Sequence, residues 1–410
     1  MRGVVFHPKK SRVLLGLAYH RCTGRLPLFR GGPVSLDTIE PKKLPGPFWV
    51  RVRTCLAGIC GSDLNLLRLQ FSTRSASMAG KGSIGRPLCL GHEAVGEVIE
   101  VGSGVSTVTP GQRVVLVPGA SCGAVGNELC AMCLRGLPLL CLHRDECALP
   151  HAAGAGWSEE FVRHESRLIP IPNDLLDESA VLVEPLACSV HAVLRRLPLA
   201  EESVVVFGCG VIGLGIILTL RALGMPVKIV AIARHPSQAA RARVAGADLV
   251  LSSTSPDLYE HLATELETKV LSRGSRNRLL QCGASVVYDA VGSSETLRHA
   301  LRWTRPRGAV VVEGITPRPA PFDCTVIWLR EVDLIGSHGH GLETFQGRTL
   351  HTFNLVLEWI QQGRLATDGW ITHRYPLGEY QQAMRAAHEK SRSEAGKVLL
   401  QMKPNGQALC

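Results

Sequence analysis

The feature that most constrains the fold of this chain is a glycine-rich turn, G-x-G-x-x-G, at residues 208–213. An apolar run rich in β-branched residues, 204–207, precedes the turn and predicts a buried parallel strand, and residues 211–223 after it are compatible with a helix. In this spacing the first glycine permits a tight turn, the second lets the backbone approach a pyrophosphate, and the third lets the helix pack on the strand. Free N–H groups at the start of the helix attract phosphates. The turn therefore predicts a dinucleotide site formed by Gly208, Gly210, Val211, Ile212 and Gly213.

The segments around the turn continue the strand–helix–strand order that the motif requires. A glycine-rich turn by itself also occurs in other α/β units, so the context decides its meaning. Here a second strand is predicted at 227–232 and a second helix at 237–244. We therefore expect a doubly wound parallel sheet between about residues 200 and 335. Further elements in the same alternation are a helix at 258–273 and strands at 285–289 and 308–313.

Length and composition narrow the class of protein. A chain of 410 residues is too long for one compact core, so we expect two domains. Neither a signal peptide nor a membrane helix is recognisable, which predicts a cytoplasmic protein without membrane contact. The formal charge of +10 is spread along the chain, which favours small anionic ligands over nucleic acid. In such a chain the 14 cysteines indicate metal ligands or buried thiols rather than disulfides.

The first half of the chain has a different pattern from the second. Residues 48–54, 94–101 and 112–117 alternate apolar and polar side chains like half-buried strands, and turn signals separate them. This alternation predicts a β-barrel-like domain. Loops are predicted at 20–46 and 70–87, and helices at 351–363 and 380–390.

Three separated segments carry side chains that bind transition metals. They are residues 58–63 (Gly-Ile-Cys-Gly-Ser-Asp), 91–93 (Gly-His-Glu) and 183–186 (Val-Glu-Pro-Leu). A thiolate, an imidazole and a carboxylate form the mixed ligand set of a catalytic zinc that keeps one position open. Each residue also has an ordinary interpretation by itself: Cys60 as a buried thiol, His92 as a core histidine and Glu184 as a carboxylate at a helix start. Their combination with the dinucleotide turn favours a metal site.

In this order the segments resemble the zinc-dependent medium-chain dehydrogenases/reductases, the family that contains alcohol, sorbitol and threonine dehydrogenases. The resemblance runs from about residue 47 to 400, and the Glu-Pro-Leu form at 184–186 is closer to the sorbitol and threonine dehydrogenase branch. It implies an α/β protein with a GroES-like β-barrel catalytic domain at 1–192, completed by 338–410, and a Rossmann domain at 193–337. It also implies a small alcohol or carbonyl substrate and a homo-oligomer, either a dimer or a tetramer.

The resemblance further implies roles for single residues. Ser62 would hydrogen-bond the substrate hydroxyl, and Asp63 would orient His92 and fix its tautomer. Zinc would polarise the alcohol oxygen, so that hydride can pass to the nicotinamide ring. The zinc ligands carried over by position are Cys60, His92 and either Glu93 or Glu184, since relatives differ in the third.

Two features near this site depart from the family pattern. Asn65 stands where relatives commonly carry a histidine that ends a proton relay, and an amide takes up no proton at neutral pH. Either the proton leaves by another route or the rate has a different pH profile. The gap between Cys60 and His92 is also longer than usual, which predicts an extended loop around residues 72–83.

A second group of cysteines resembles the structural zinc lobe of the family. Cys130, Cys133 and Cys141 match three of its four ligands, but Asn127 stands at the fourth position. Cys122, five residues earlier, is near enough along the chain to replace it. A lobe with zinc held by four cysteines and a lobe folded without metal both stay open.

The end of the second strand predicts NADP rather than NAD as the cofactor. In NAD-dependent relatives an acidic residue about 20 positions beyond the turn binds the ribose hydroxyls and repels a 2′-phosphate. Ala233 occupies that position, and no carboxylate occurs between Glu202 and Asp248. Arg234 follows directly, with Arg241 about two helical turns further on, and a guanidinium is suited to bidentate binding of phosphate.

We therefore expect a zinc- and NADP-dependent dehydrogenase of a secondary alcohol, polyol or sugar. Two other functions fit parts of the sequence. A zinc-free reductase of activated double bonds would share the fold without needing Cys60, His92 and Glu184. A non-catalytic nucleotide-binding protein would be compatible with Asn65, but it would not need the ligand set either.

Overall fold

The computed structural model of the chain describes residues 1–40, 43–68, 86–272, 277–315 and 321–402. These residues form two compact units. The predicted domain bounds at 192/193 and 337/338 stay a prediction, and the loop predicted around 72–83 lies outside the described residues. The first unit contains the described residues of Met1–Glu184, Gln346–Leu357 and Asp368–Cys410, and the second those of Pro185–Phe345 and Glu358–Thr367.

The secondary structure follows in chain order. The strands are β1 (Arg2–Phe6), β2 (Val34–Thr38), β3 (Trp49–Gly58), β4 (Leu88–Cys89), β5 (Glu93–Val101), β6 (Arg113–Leu116), β7 (Glu160–His164), β8 (Leu168–Pro170), β9 (Ser203–Phe207), β10 (Lys228–Ala233), β11 (Leu249–Ser252), β12 (Val270–Ser272), β13 (Arg278–Leu280), β14 (Ala284–Asp289), β15 (Thr304–Val312), β16 (Asp333–Gly336), β17 (Leu342–Phe345), β18 (Arg348–His351), β19 (Ile371–Pro376) and β20 (Lys397–Gln401). The helices are α1 (Lys10–Thr23), α2 (Gly61–Leu67), α3 (Ala131–Leu134), α4 (Asp177–Ala180), α5 (Val183–Arg195), α6 (Val211–Ala222), α7 (Pro236–Val244), α8 (Leu258–Glu265), α9 (Ser294–Trp303), α10 (Thr325–Arg330), α11 (Thr352–Gln361), α12 (Tyr380–His388) and α13 (Lys390–Ser393). Short 3-10 turns lie at Cys122–Ala124, Pro138–Leu140, His151–Ala153, Glu165–Arg167 and Leu377–Glu379.

Strand β3 is the centre of the sheet in the first unit. The sheet has the order β19-β20-β3-β5-β6-β8, and β7 pairs with the N-terminal half of β3. Val50 and Val52 of β3 are fully buried and pack in a core with Phe161 of β7. The C-terminal end of β3 lies between β5 and β20, so that Gly58 is beside Glu93 on one side and Leu399 on the other. This meeting point of three strands positions the site described below.

The second unit contains a sheet of six parallel strands in the order β11-β10-β9-β14-β15-β16. Counted from β9, this is the order 3-2-1-4-5-6 of a doubly wound dinucleotide-binding sheet. Residues 204–206 of β9 are fully buried, as expected for a strand that helices cover on both faces. The chain reverses its direction of growth between β9 and β14, and ligands of such sheets bind at the carboxyl ends of those two strands. The predicted α/β fold class is confirmed.

Two segments differ from the prediction. The predicted loop at 20–46 includes the end of α1 and strand β2, and β2 owes its extended form to pairing with β1. The predicted helix at 258–273 ends at Glu265, after which β12 pairs with β13. In both cases pairing with another strand, rather than the local sequence pattern, decides the structure. No helix of the described residues is long and apolar enough to cross a membrane.

Candidate active site

Cys60 lies at the N-terminal end of α2, where it forms a capping box with Asp63. The Cys60 thiol accepts a hydrogen bond from the backbone N–H of Asp63, and the Asp63 carboxylate accepts one from the backbone N–H of Cys60 at 3.0 Å. These bonds satisfy N–H groups that the first turn of a helix leaves without intrahelical partners. The capping box therefore fixes the thiol and the carboxylate relative to each other. Ser62 lies between them in the first turn and is half-buried.

His92 lies between β4 and β5, in a loop that packs on Trp157. Gly91 has a φ of +88°, and a Cβ there would come within 2.2 Å of the Trp157 ring, so only glycine fits. His92 Nδ1 is 3.5 Å from Asp63 Oδ1. Burial opposes a charge on the imidazole, but the charges of Asp63 and Cys60 outweigh it and raise the pKa of His92 well above its ordinary value. Asp63 therefore contacts both the Cys60 backbone and the His92 ring.

Glu93 begins strand β5 and forms a buried ion pair with Lys397 of β20. The two side chains are only 1% and 3% exposed. Between them runs Gly58 of β3, where a Cβ would collide with both the Glu93 carboxylate and the Lys397 side chain. Burial opposes the charge of Lys397, but the Glu93 carboxylate outweighs it and raises the pKa of Lys397. Glycine at position 58 therefore makes room for a charged pair inside the sheet.

The three ligand types meet beside this pair. The ligand atoms of Cys60, His92 and Glu93 all lie within 4.8 Å of one another. Glu184, in the first turn of α5, is not part of that group, although it is buried and its charge acts on Lys397. A thiolate, an imidazole and a carboxylate suit Zn²⁺ with a fourth position left open. The residues present therefore fit a catalytic zinc.

Asn65, the residue that departs from the family pattern, is linked to two basic side chains. Its Oδ1 accepts a hydrogen bond from Arg68 Nη1 at 3.3 Å, and Arg68 Nη2 is 3.0 Å from His388 Nδ1 on α12. Burial, followed by the nearby Arg68 charge, lowers the pKa of His388. A neutral imidazole can accept the guanidinium hydrogen bond. Asn65 thus serves as an acceptor for Arg68.

The second group of cysteines also gathers at one place. The ligand atoms of Cys122, Cys130, Cys133 and Cys141 lie within 4.8 Å of one another, and the Sγ–Sγ distances are 3.5 Å for Cys122–Cys141 and 3.9 Å for Cys130–Cys141. With Zn–S bonds of about 2.3 Å, the edge of a tetrahedron of sulfurs is roughly 3.8 Å. Backbone N–H groups of Cys133 and Leu142 lower the pKa of Cys130 to about 6. The four thiols therefore fit a tetrahedral zinc.

The glycine-rich turn has the geometry that its spacing predicts. Gly208 follows β9 with a φ of +95°, which an L side chain rarely adopts. Gly210 caps α6, and apart from its two chain neighbours no described atom lies within 4 Å of the position a Cβ would take. A Cβ on Gly213 would lie 1.8 Å from the Gly208 carbonyl oxygen. The backbone of Gly210 and the first N–H groups of α6, at Val211 and Ile212, are thus open to a ligand.

The residues expected to select the cofactor lie at the end of β10. Ala233 is the last residue of that strand and is buried, whereas Arg234 is exposed. Arg241 is half-buried on α7. The Arg234 guanidinium therefore follows the carboxyl end of the strand next to β9, in a stretch of sequence that has no carboxylate between Glu202 and Asp248.

Sequence reasoning missed three residues that support these sites. Lys397 follows a glycine and begins an apolar strand. Its signal in the sequence was therefore a lysine at the start of a run of residues that is expected to be buried. Gly58 became informative only once β3, β5 and β20 were side by side. Asp289, at the end of β14, is fully buried and accepts hydrogen bonds from the N–H groups of Val291 and Gly292. These hydrogen bonds favour the charged carboxylate and lower the pKa of Asp289, but burial has the larger effect and raises it. Its signal was an acid at the end of an apolar strand.

Comparison with known families agrees with this architecture. The family described as alcohol dehydrogenase GroES-like domain matches residues 46–173, and the family described as zinc-binding dehydrogenase matches residues 211–358.

Individual relatives match nearly the whole chain. The L-idonate 5-dehydrogenase of Vitis vinifera is 32% identical over 346 residues, which cover 83% of this chain and 85% of the relative. The sorbitol dehydrogenase of Arabidopsis thaliana is 32% identical over 375 residues, covering 90% and 94%. Among solved structures, the alcohol dehydrogenase RspB of Escherichia coli CFT073, complexed with NADH, has the same fold, with a TM-score of 0.73. The match covers 98% of this chain and 99% of that protein, at 23% identity. The chain belongs to the zinc-dependent medium-chain dehydrogenase/reductase family and is an oxidoreductase of its alcohol and polyol dehydrogenase group.

Proposed function

We propose that this protein is a zinc- and NADP(H)-dependent dehydrogenase that interconverts a secondary hydroxyl of a polyol, sugar or sugar acid and the corresponding ketone. The observation that carries the proposal is the convergence of Cys60, His92 and Glu93 within 4.8 Å. The names of the relatives, an L-idonate 5-dehydrogenase and a sorbitol dehydrogenase, support a polyhydroxylated substrate. A simple alcohol stays an alternative for the substrate screen.

The catalytic zinc would be held by Cys60, His92 and Glu93. One oxygen of Glu93 pairs with Lys397, which would leave its other oxygen for the metal. Glu184 is the other candidate for the third ligand, since it is buried and its charge also acts on Lys397. Zinc content after Glu93→Gln or Glu184→Gln separates the two, because only the loss of a ligand should weaken metal binding strongly.

The remaining side chains would orient the ligands and the substrate. Asp63 faces His92 Nδ1 at 3.5 Å and so favours the tautomer that leaves Nε2 free to bind a metal. Ser62 lies in the first turn of α2, next to Cys60, and would accept or donate a hydrogen bond to the reacting hydroxyl. Zinc bound there supplies a Lewis acid that lowers the pKa of a hydroxyl oxygen. Because Asn65 binds no proton, the proton would leave along a route that avoids it.

A second zinc would be structural and held by Cys122, Cys130, Cys133 and Cys141. The support is the agreement between the Sγ–Sγ distances of 3.5 and 3.9 Å and the edge of a zinc tetrathiolate. Cys122 supplies the sulfur that Asn127 lacks. The alternative is a lobe folded without metal.

NADP preference rests on Ala233 and Arg234 at the end of β10. An alanine at this position removes the carboxylate that would repel a 2′-phosphate, and the exposed guanidinium beside it offers a charged donor pair. The cytoplasmic location and the homo-oligomeric state stay predictions from the sequence and the family resemblance.

The experiment that tests the function combines metal analysis with turnover. Purified protein should contain zinc and should reduce NADP in the presence of polyols such as sorbitol. Cys60→Ser and His92→Ala should abolish turnover with little change in fold, whereas Cys282→Ser, which changes an exposed cysteine outside both groups of candidate metal ligands, should retain zinc and activity. Full activity of the metal-stripped protein would contradict the proposal.

A further inference from the structure

Arg167 is a buried cation beside the cysteine lobe. It ends the 3-10 turn Glu165–Arg167 and is 5% exposed. One Nη donates a hydrogen bond to the Ser121 hydroxyl, while Nε is buried without a hydrogen-bond partner. No ion pair links Arg167 to a carboxylate of the described residues. A buried guanidinium without a charged partner is costly, so a negative charge placed beside it would be stabilising.

Three thiols lie near enough to this guanidinium for their charges to act on it, and two of them, Cys133 and Cys141, belong to the cysteine lobe. Cys133, Cys141 and Cys147 are the residues whose charges act favourably on Arg167. A neutral thiol does little to balance a cation. Four thiolates around Zn²⁺, by contrast, carry a net charge of about −2, which needs compensation in a buried site. The cation and the metal-loaded lobe are thus electrostatic complements.

Arg167 also contacts the segment that carries the replacement ligand. The Ser121 hydroxyl accepts from Arg167 and from the backbone N–H of Ala124 at 3.3 Å, so it caps the turn in which Cys122 lies. The neighbouring Ser166 hydroxyl donates to the Gly123 carbonyl at 2.8 Å. The turn Glu165–Arg167 therefore holds the backbone on both sides of Cys122.

We propose that Arg167 is a positioning residue of the structural zinc site, acting as the buried counter-ion of the tetrathiolate and as the tether that brings Cys122 to the place left vacant by Asn127. This inference rests on the proposed structural zinc. Arg167 thus neutralises the charge of the zinc-bound thiolates and also holds the backbone beside Cys122, the cysteine that replaces the usual fourth ligand.

The test measures zinc in the full-length protein after Arg167→Met and Arg167→Lys. Loss of a residue that supports metal ligands typically weakens metal binding about 10- to 100-fold, so Arg167→Met should lose one of two zinc ions to EDTA at correspondingly lower chelator concentration. Arg167→Lys keeps the charge and should retain most of that affinity. In cobalt-substituted protein, the sulfur-to-cobalt charge-transfer band should weaken in Arg167→Met and recover in Arg167→Lys.

A neighbouring arginine provides the matched control. Arg163 of β7 donates to the carbonyl groups of Ala153 and Gly154 at 3.3 and 3.0 Å. Arg163→Met should lower thermal stability but keep both zinc ions, which separates general destabilisation from loss of the metal site. Two results would overturn the inference: wild-type zinc affinity in Arg167→Met, or equal zinc loss in Arg167→Lys and Arg167→Met.

A separate outcome concerns the structural zinc itself. If wild-type protein binds one zinc, and Cys133→Ser does not change that number, the structural zinc is refuted.

Discussion

The ion pair between Glu93 and Lys397 gives the sharpest prediction about stability. The side chains of Glu93 and Lys397 are almost completely buried, at 1% and 3% exposure, so water cannot screen a charge left behind when its partner is removed. Breaking a buried pair from one side costs about 3–5 kcal/mol, a large part of the roughly 5–15 kcal/mol by which domains are stable. We therefore expect Lys397→Met to lower the free energy of unfolding by about 3–5 kcal/mol in zinc-stripped protein.

The double variant isolates the cause of this loss. Lys397→Met combined with Glu93→Gln leaves no buried charge at Gly58, so the two effects should not add, and the coupling should be about 2–3 kcal/mol. Zinc adds a second criterion. If Glu93 is a metal ligand, the charge of zinc partly replaces that of Lys397, so Lys397→Met should cost less in zinc-loaded protein than after chelation.

The assay is urea-induced unfolding of the four members of the cycle, with zinc and after chelation. Lys228→Met is the matched control, because the Lys228–Glu265 ion pair, at 3.0 Å, has side chains that are 46% and 35% exposed. Such a surface pair is worth about 0–1 kcal/mol. A Lys397→Met cost no larger than that of Lys228→Met, or additive effects in the cycle, would refute the reasoning. Equal costs with and without zinc would favour Glu184 as the third ligand.

Three further predictions concern the metal lobe and the nucleotide site. Cys133→Ser should lower the zinc content from two ions per chain to one and reduce thermal stability, because a structural zinc contributes folding free energy; a constant ratio near one would favour the metal-free lobe. Arg234→Ala should lower kcat/KM for NADP about 10- to 100-fold, as expected for loss of a charge-assisted hydrogen bond of about 1.5–3 kcal/mol, and should leave kcat/KM for NAD nearly unchanged. Ala233→Asp should shift the preference toward NAD. Equal losses of kcat/KM with both cofactors would contradict this assignment. Gly213→Ala places a Cβ 1.8 Å from a backbone oxygen and should destabilise the protein by about 1–3 kcal/mol. Gly210→Ala has open space around its Cβ, so this variant should keep its stability but raise KM for both cofactors. Unchanged stability of Gly213→Ala would show that the contact is not tight.

Local patterns in the sequence predict much of both units. The glycine spacing at 208–213 and the apolar strands around it predict the doubly wound sheet, because each glycine answers a local steric demand that the sequence displays. In the first unit, the alternation of apolar and polar residues at 48–54 and 94–101 predicts strands that the structure contains as β3 and β5. Ala233, at the position where NAD-dependent relatives carry an acidic residue, is likewise a local signal, because it indicates the cofactor preference. Such features need only a few neighbouring residues and are readable before the chain folds.

Other parts depend on residues that are distant in sequence. Strand β2 exists because β1, at the start of the chain, supplies hydrogen bonds to it, and β2 has no strong pattern of its own. The cysteine spacing leaves Cys122 open as a fourth ligand, but the contacts of the Ser166 hydroxyl and the Arg167 guanidinium with the turn around Cys122 are found only in the folded chain.

The sequence by itself determined the doubly wound fold, the dinucleotide turn and the identity of the candidate ligands, because these follow from spacing and side-chain chemistry along short segments. Only the tertiary structure decided that Glu93 rather than Glu184 groups with Cys60 and His92, and that Lys397 lies buried against Glu93. The physical reason is that a buried charge is stable only beside its partner. Lys397 and Glu93 are 304 positions apart and meet across Gly58 only when β5, β3 and β20 form one sheet.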